Sequence, residues 1–411
     1  MEFTFNAYYT LISAVIVLLL GQALVKKVGF LRDFNIPEPV AGGIVAAMVL
    51  YGVHYVMGYS INFHKDLQTA FMLIFFASIG LSANFAKLKA GGIGLIFFLM
   101  IIAVFILVQD AVGVGMAKAM GLDPLIGLIA GSITLVGGHG TAGAWGQVLE
   151  QKHGVQGAVT LGIACATFGL VSGGLIGGPL ARKLISFHQL RLPTYDSINA
   201  QATAQSGTNH RDMINFEQPQ AERLINATNA VETLALFAAC LAFADFMATF
   251  SKDTMFELPT FVWALAGGVI VRNFLEYVLK VNIFDRAIDV FGNASLSLFL
   301  AMALLSLKLW DLAGLAAPLM VILSAQVIVM LLYAGFITFY LMGRNYDAAV
   351  LAAGHCGFGM GATPTAIANM QAITNKYGPS HKAFLIVPMV GAFFVDIINA
   401  SVIQIFIKFI G

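Results

Sequence analysis

Charged residues are scarce in this chain. Asp, Glu, Lys and Arg make up 10% of its 411 residues, against about 25% in a soluble globular domain. That excludes an ordinary water-facing surface. The net charge of +1 leaves no basic footprint, so no nucleic-acid partner is expected. Cysteine is sparse too. Cys165, Cys240 and Cys356 each lie in apolar or glycine-rich sequence, with no disulfide framework and no paired spacing for zinc. No basic residue precedes the first apolar run, so that run reads as a membrane span rather than a cleaved leader. A Gly-x-Ser-x-Gly elbow is missing. Tyr346-Asp347 matches one motif of intramembrane aspartyl proteases, but its partner Gly-x-Gly-Asp is absent. These gaps set an enzyme aside. Continuous apolar runs such as 95–108 lack the alternation of an outer-membrane barrel.

What the chain does have is oil: 59% hydrophobic residues and a mean hydropathy of +0.85. Runs long enough to cross a bilayer, about 20 residues each, fall near 8–25, 39–57, 67–83, 91–120, 155–180, 224–250, 258–275, 287–307, 312–342 and 384–410. The expected fold is an all-α polytopic membrane protein. Two glycine-rich runs interrupt the oil: Gly137-Gly138-His139-Gly140-Thr141-Ala142-Gly143, and the run from Gly354 to Thr365. Irregular backbone at membrane depth survives only when buried in protein or lining a wet cavity. Both runs therefore read as the tips of broken helices that face each other and hold a solute.

The two halves repeat at an offset of 222 to 224 residues. Gly121-Leu122-Asp123 meets Gly343-Arg344-Asn345, Thr141 meets Thr365, and Lys152-His153-Gly154 meets Lys376-Tyr377-Gly378. Phe76 onward can likewise be laid on Phe299 onward, and the Pro37–Gly43 run matches the Pro259–Gly268 run. Cytoplasmic loops collect Lys and Arg. With each tip segment re-entrant and the N-terminus outside, 16 of the 22 basic residues fall inside and 6 outside. With each tip segment crossing fully, the bias vanishes. The expectation is two inverted-topology repeats of five spans, each with a re-entrant broken-helix hairpin. Residues 1–181 form the N-terminal repeat, 182–222 a cytoplasmic connecting loop, and 223–411 the C-terminal repeat. Inverted repeats with paired discontinuous helices are the usual build of secondary transporters. A channel is less favoured, because channels are usually rings of like filter loops.

Candidate site residues follow from this layout. Helix N-termini offer free N–H groups and partial positive charge to a carboxylate. The substrate-binding candidates are Gly137, Gly138, His139, Gly140, Thr141, His355, Gly357, Gly359, Gly361, Thr363, Pro364, Thr365, Asn369 and Asp396. Thr363 reads as the cap of a helix reaching about Thr374, with Pro364 at its first position. Thr141 starts the matching helix. Hydroxyls and unwound carbonyls suit sodium, for which Thr134, Thr363, Asp396 and Asn399 are the candidates. Asp396 and Asn399 lie three apart on one helix face, and an acid at the centre of a span is a site candidate by default. For Asp110, Glu232, Asn84 and Asn293 an interhelical hydrogen bond is the preferred reading. His139 and His355 have no acid or second histidine at metal spacing. They read as hydrogen-bond donors, with proton coupling as the alternative.

Five stretches carry a family resemblance: Ile36–Gly43, Gly131–Thr134 with Gly137–Thr141, Ala164–Leu170, Ser295–Met302, and His355–Gly359 through Ala366–Ala372. Together they closely resemble the bacterial glutamate:sodium symporters, over nearly the whole chain. The resemblance implies uptake of L-glutamate driven by sodium as coupling ion, with no other cofactor. It implies a multi-pass protein in lipid of the bacterial inner membrane, with periplasmic termini, two re-entrant segments, a homodimer and an elevator-like movement. It also places Pro364 and Asn369 near the translocation path. A carrier of another carboxylate such as aspartate or citrate, driven by sodium or protons, is the alternative.

Overall fold

Helices begin and end in this computed structural model where short polar or glycine signals interrupt the apolar runs. It describes residues 2–33, 36–83, 92–192, 225–252, 258–281, 283–306 and 315–410. The helices are α1 (Ala7–Lys27), α2 (Gly29–Asp33), α3 (Glu38–Met57), α4 (Lys65–Ser82) and α5 (Gly92–Ala119). A short helix, α6 (Pro124–Leu128), runs into a π turn at Ile129–Ile133, followed by α7 (Gly138–His153) and α8 (Ala158–Phe187). The remainder are α9 (Ala227–Phe250), α10 (Thr260–Tyr277), α11 (Asp285–Leu305), α12 (Ala316–Leu341), α13 (Tyr346–Gly359), α14 (Thr363–Tyr377), α15 (His381–Met389) and α16 (Val395–Ile410). A π turn at Tyr333–Thr338 lies inside α12, and another at Val390–Phe394 joins α15 to α16. Among the described residues seven helices are long and apolar enough to cross a membrane: α1, α3, α5, α8, α9, α11 and α12.

Helix α8 continues through Arg182 and Lys183 to Phe187. The helices are accompanied by two three-residue strands. Strands β1 (Glu2–Thr4) and β2 (Ser60–Asn62) pair in parallel, Phe3 opposite Ile61, and tie the N-terminus to the end of α3. Residues 193–224, including most of the expected connecting loop, lie outside the described residues, as do Asn84, Lys87, Lys89, Arg211, Arg223 and Lys308.

Backbone contact holds one group of helices together. A side chain at Gly21 would meet the Glu38 carbonyl at 1.9 Å, and one at Gly42 the Val17 carbonyl at 2.0 Å, so α1 and α3 touch backbone to backbone. Helix α4 meets α10 the same way, because a Cβ on Gly80 would lie 2.1 Å from the Leu265 carbonyl oxygen. Without a hydrophobic drive between helices in lipid, such close approach supplies the packing. The C-terminal carbonyls of α4 would otherwise be orphaned. Arg272 of α10, only 3% exposed, donates to the Leu81 carbonyl at 3.3 Å, and Asn273 donates to that of Ala83 at 2.9 Å. Arg272 is itself paired with Asp285 and with Glu276. It is therefore a buried clasp between α4, α10 and α11.

A second group, α5 to α8 with α12 to α16, carries most of the large buried core. The two groups meet through aromatic rings. Phe75 and Phe299 press on Gly140 and Gly143 of α7, and Trp145 stands edge-on to Phe261 at 5.3 Å. Replacing Gly80 by Val should drive α4 and α10 apart and cost ~1–3 kcal/mol, as overpacking does. Gly52 of α3 has nothing within 4 Å of its Cβ position, so Gly52→Ala should be neutral or stabilising by up to ~1 kcal/mol. Thermal unfolding of the detergent-solubilised variants checks the ranking.

Candidate functional site

Each half contains a helix whose outer end is capped by a side chain. Asp123 accepts from the Leu125 amide at 2.9 Å to start α6, and Asn345 accepts from the Ala348 amide at 2.9 Å to start α13. Gly121 (φ +70°) and Gly343 (φ +114°) turn the chain two residues before each cap, a conformation that favours glycine. Both helices then break. In the first, Gly131 leaves helical geometry (φ −108°, ψ −136°) inside the π turn, and regular α-helix resumes at Gly138, where φ is +65°. In the second, α13 ends at Gly359 and α14 begins at Thr363. The breaks lie against each other. A Cβ on Gly138 would sit 3.5 Å from the Gly361 carbonyl oxygen.

The second break is shorter than the sequence predicts. Gly354 through Gly359 are helical, because those glycines serve packing. Gly357 touches the backbone of Ala366, and Gly354 touches Met370 and Val387, so α13 and α14 form an antiparallel helical hairpin. Gly359 faces Met330 and Phe105. The cap of α14 is Ala362 and not Thr363, and the helix reaches Tyr377 instead of Thr374. The Thr363 hydroxyl donates to the Gly391 carbonyl at 2.9 Å instead. Pro364 stands in the first turn, where its missing N–H costs nothing. Helix α7 likewise starts at Gly138, three residues before Thr141. Neither inner start, Gly137 or Ala362, has a side-chain cap, so the first-turn amides of α7 and α14 have no side-chain cap competing for them.

Two neighbouring residues of α5 hold both breaks. Gln109 donates to the Gly359 carbonyl at 3.1 Å, while Gln326 of α12 donates to the Gln109 carbonyl at 2.8 Å. Asp110 accepts from the Ser132 amide at 2.7 Å and from the Ser132 hydroxyl at 2.9 Å. Asn399 of α16 completes the clamp, donating to the Ser132 carbonyl at 3.1 Å. Thr134 donates to Ile129 at 2.6 Å within the first break. Helix α8 supplies the floor. Cβ atoms at Gly169, Gly173 and Gly177 would meet the carbonyls of Met360 at 2.2 Å, Cys356 at 3.0 Å and Ala353 at 2.7 Å. Asn369 of α14 donates into the same floor, to Gly173 at 2.8 Å and to Ala353 at 3.3 Å.

The predicted residues therefore divide. Gly137, Gly138, Thr134 and Thr141 gather at the first break, and Gly361, Thr363, Pro364 and Thr365 at the second. The Thr365 hydroxyl is buried with no partner. Asp396 lies on α16 between Gly391, which touches the second break, and Asn399, which touches the first; it forms no hydrogen bond or ion pair with the described residues. His139 bonds Thr167 at 3.0 Å. The only Thr167 hydroxyl proton goes to Ile163, so the His139 Nε2 carries the hydrogen. His355 is fully buried. Its Nδ1 meets the Thr338 hydroxyl at 2.8 Å, and the rings of Phe98, Phe105, Tyr333 and Phe358 enclose it. Among the described residues no group of three His, Cys, Asp or Glu gathers to hold a metal. Gln109 with Asp110 and the packing pair Gly173-Gly174 stood out in the sequence, whereas Gln326, Gly169 and Gly177 escaped sequence reasoning. Four-residue glycine spacing was the one legible signal for the Gly169–Gly177 stripe.

Known proteins are similar to this chain over nearly its whole length. The family model described as sodium/glutamate symporter matches residues 3–379. A sodium/glutamate symporter of Haemophilus influenzae is 50% identical over 406 residues, covering 98% of each chain. Those of Escherichia coli and Shigella flexneri are each 51% identical over 405 residues, again covering 98% of each chain. On this match the chain belongs to the sodium/glutamate symporter family, a family of transporters and not of enzymes.

Proposed function

We propose that this protein carries L-glutamate together with sodium across the bacterial inner membrane by alternating access. The observation that carries the reading is the near contact of the two helix breaks, 3.5 Å between the Gly138 Cβ position and the Gly361 carbonyl. The outer ends of the half-helices are capped by Asp123 and Asn345, whereas the inner ends at Gly137 and Ala362 are not. Glutamate's carboxylates take those first-turn amides, where the helix dipole favours negative charge. His139, Gly140, Thr141 and Thr365 line the same first turns. Asp396, between the two clamps on α16, meets the ammonium group. Sodium takes oxygen ligands at the unwound segments, from Thr134, Thr363, Asp396 and Asn399.

The two halves act as inverted repeats of five crossings, each with a re-entrant hairpin, joined by a cytoplasmic segment and with both termini periplasmic. Supporting this, cap and turn residues recur at the expected offset: Pro37 with Pro259, Asp123 with Asn345, and Gly154 with Gly378. The glycine-bonded group of α1, α3, α4, α9, α10 and α11 is the static scaffold and dimer platform, its outer apolar side chains facing lipid. The group holding both breaks moves elevator-like against it. The aromatic surface of Phe75, Phe299 and Phe261 favours sliding, because it offers no hydrogen bond to break.

Glutamate counterflow in proteoliposomes should proceed in sodium and fall to background when potassium replaces it. Unchanged counterflow would remove the coupling. A competition panel with aspartate and citrate fixes the substrate. Gln109→Leu should leave the Gly359 carbonyl unpaired at ~1–3 kcal/mol and loosen the second hairpin. Cys356, fully buried, reports this: with Cys165 and Cys240 changed to Ala, N-ethylmaleimide should label it roughly tenfold faster, with uptake reduced.

A further inference from the structure

Asp110 is fully buried in the second helix group. Its two bonds both come from neutral donors on Ser132, and among the described residues no cation pairs with it. A carboxylate in that setting calls for a counter-charge. A second, independent group reaches the same serine from α16. The Ser132 carbonyl can only accept, so the Asn399 nitrogen is fixed against it at 3.1 Å. The Asn399 Oδ1 is buried and has no donor among the described residues, and Asn399 is 1% exposed. Gly131 permits the arrangement, since a Cβ there would lie 2.7 Å from the Asp110 Oδ1.

We propose that Asp110, Ser132 and Asn399 form a buried monovalent-cation site that takes a coupling sodium ion at the C-terminal end of the first half-helix. The chemistry fits a small hard cation. One carboxylate, one hydroxyl with free lone pairs and one amide oxygen are all oxygen ligands, and the carboxyl end of a half-helix adds partial negative charge. A divalent ion would demand more carboxylates than this cluster holds. The site differs from the Thr134, Thr363 and Asp396 set in its carboxylate, Asp110, and takes Asn399, one helical turn beyond Asp396 on α16, as its own ligand. Occupied, it fixes Ser132 and so the start of α7, which sets the first-turn amides for the anion. The proposal rests on the sodium-symport reading.

The test uses the full-length protein and sodium itself. In detergent without glutamate, NaCl should raise the melting temperature of the unmodified protein above that in choline chloride at equal ionic strength. Asp110→Asn should abolish that rise and increase the sodium concentration for half-maximal glutamate uptake at least tenfold. Ser132→Ala and Asn399→Ala should each increase it threefold or more, and they carry the test if Asp110→Asn does not fold. A folded Asp110→Asn with the sodium rise and half-maximal concentration of the unmodified protein overturns the site: Asp110 is then a neutral, protonated hydrogen-bond partner. If Asp110→Asn does not fold, unmodified behaviour in both other variants overturns it. Sodium-independent uptake by the unmodified protein would instead sink the symport reading, and this site with it.

Discussion

Two interruptions of helix deep in an apolar protein must have their polar backbone groups satisfied from within, and nearly everything else follows from how that is done. Each unpaired group in hydrocarbon costs several kcal/mol. The solution is economical. Gln109 and Asp110 are adjacent, and adjacent helical residues point about 100° apart, so one turn of α5 reaches both breaks. Gln109 secures the end of α13 through the Gly359 carbonyl, and Asp110 secures the first break through Ser132. Asn399 and Gln326 brace the same turn from α16 and α12. Gln109 and Asn399 take the carbonyls of Gly359 and Ser132, and Asp110 takes the Ser132 amide and hydroxyl; the starts of α7 and α14 have no side-chain cap.

That division of polarity separates structure from function along each broken helix. Capped starts at Asp123 and Asn345 anchor the hairpins at their outer ends. Uncapped starts at Gly138 and Thr363 face each other inside. Gly138 lies against the Gly361 carbonyl, and in the proposed carrier the dipoles of α7 and α14 supply partial positive charge to the anion without a Lys or Arg. Such a spot favours an anion while bringing no full charge of its own into the bilayer. The glycine stripe of α8 has a matching role, letting the carbonyls of Ala353, Cys356 and Met360 approach its axis so that the second hairpin seats deeply.

Much of this was legible in the sequence, and the misses have physical reasons. Gly137-Gly138 announced the first break, whereas Asp123 and Asn345 were matched as repeat positions and not read as the caps they are. The reach of the second break was misjudged because glycine's poor helix propensity is a small term. Packing of Gly357 on Ala366 and of Gly354 on Met370 outweighs it. His355 looked like a site residue through its neighbours in sequence, yet its helix turns it into a ring of aromatics. Asp110 was rightly read as an interhelical hydrogen-bond partner, but its weight was invisible. Its partner is a backbone amide 22 residues away, and backbone partners leave no mark in composition or spacing. The clasp made by Arg272 was invisible for a related reason: its counter-charges and carbonyl partner come from α10, α11 and α4, and only the fold brings them together.

The electrostatics of the proposed cycle then has a definite order. Two helix N-termini invite an anion, but a dicarboxylate with one ammonium still brings a net negative charge into a low-dielectric pocket. Moving that charge through the membrane would be costly. A cation held beside Asp110 does two things at once. It offsets the buried carboxylate, and it fixes Ser132, from which the chain runs five residues to the Gly137 cap of α7. Filling the ion site therefore preorganises the amides the anion needs, and the anion in turn adds negative charge that holds the ion. Each ligand strengthens the other by the same factor, as linkage requires. Coupling in this picture needs no long pathway, because one six-residue stretch from Ser132 to Gly137 belongs to both sites.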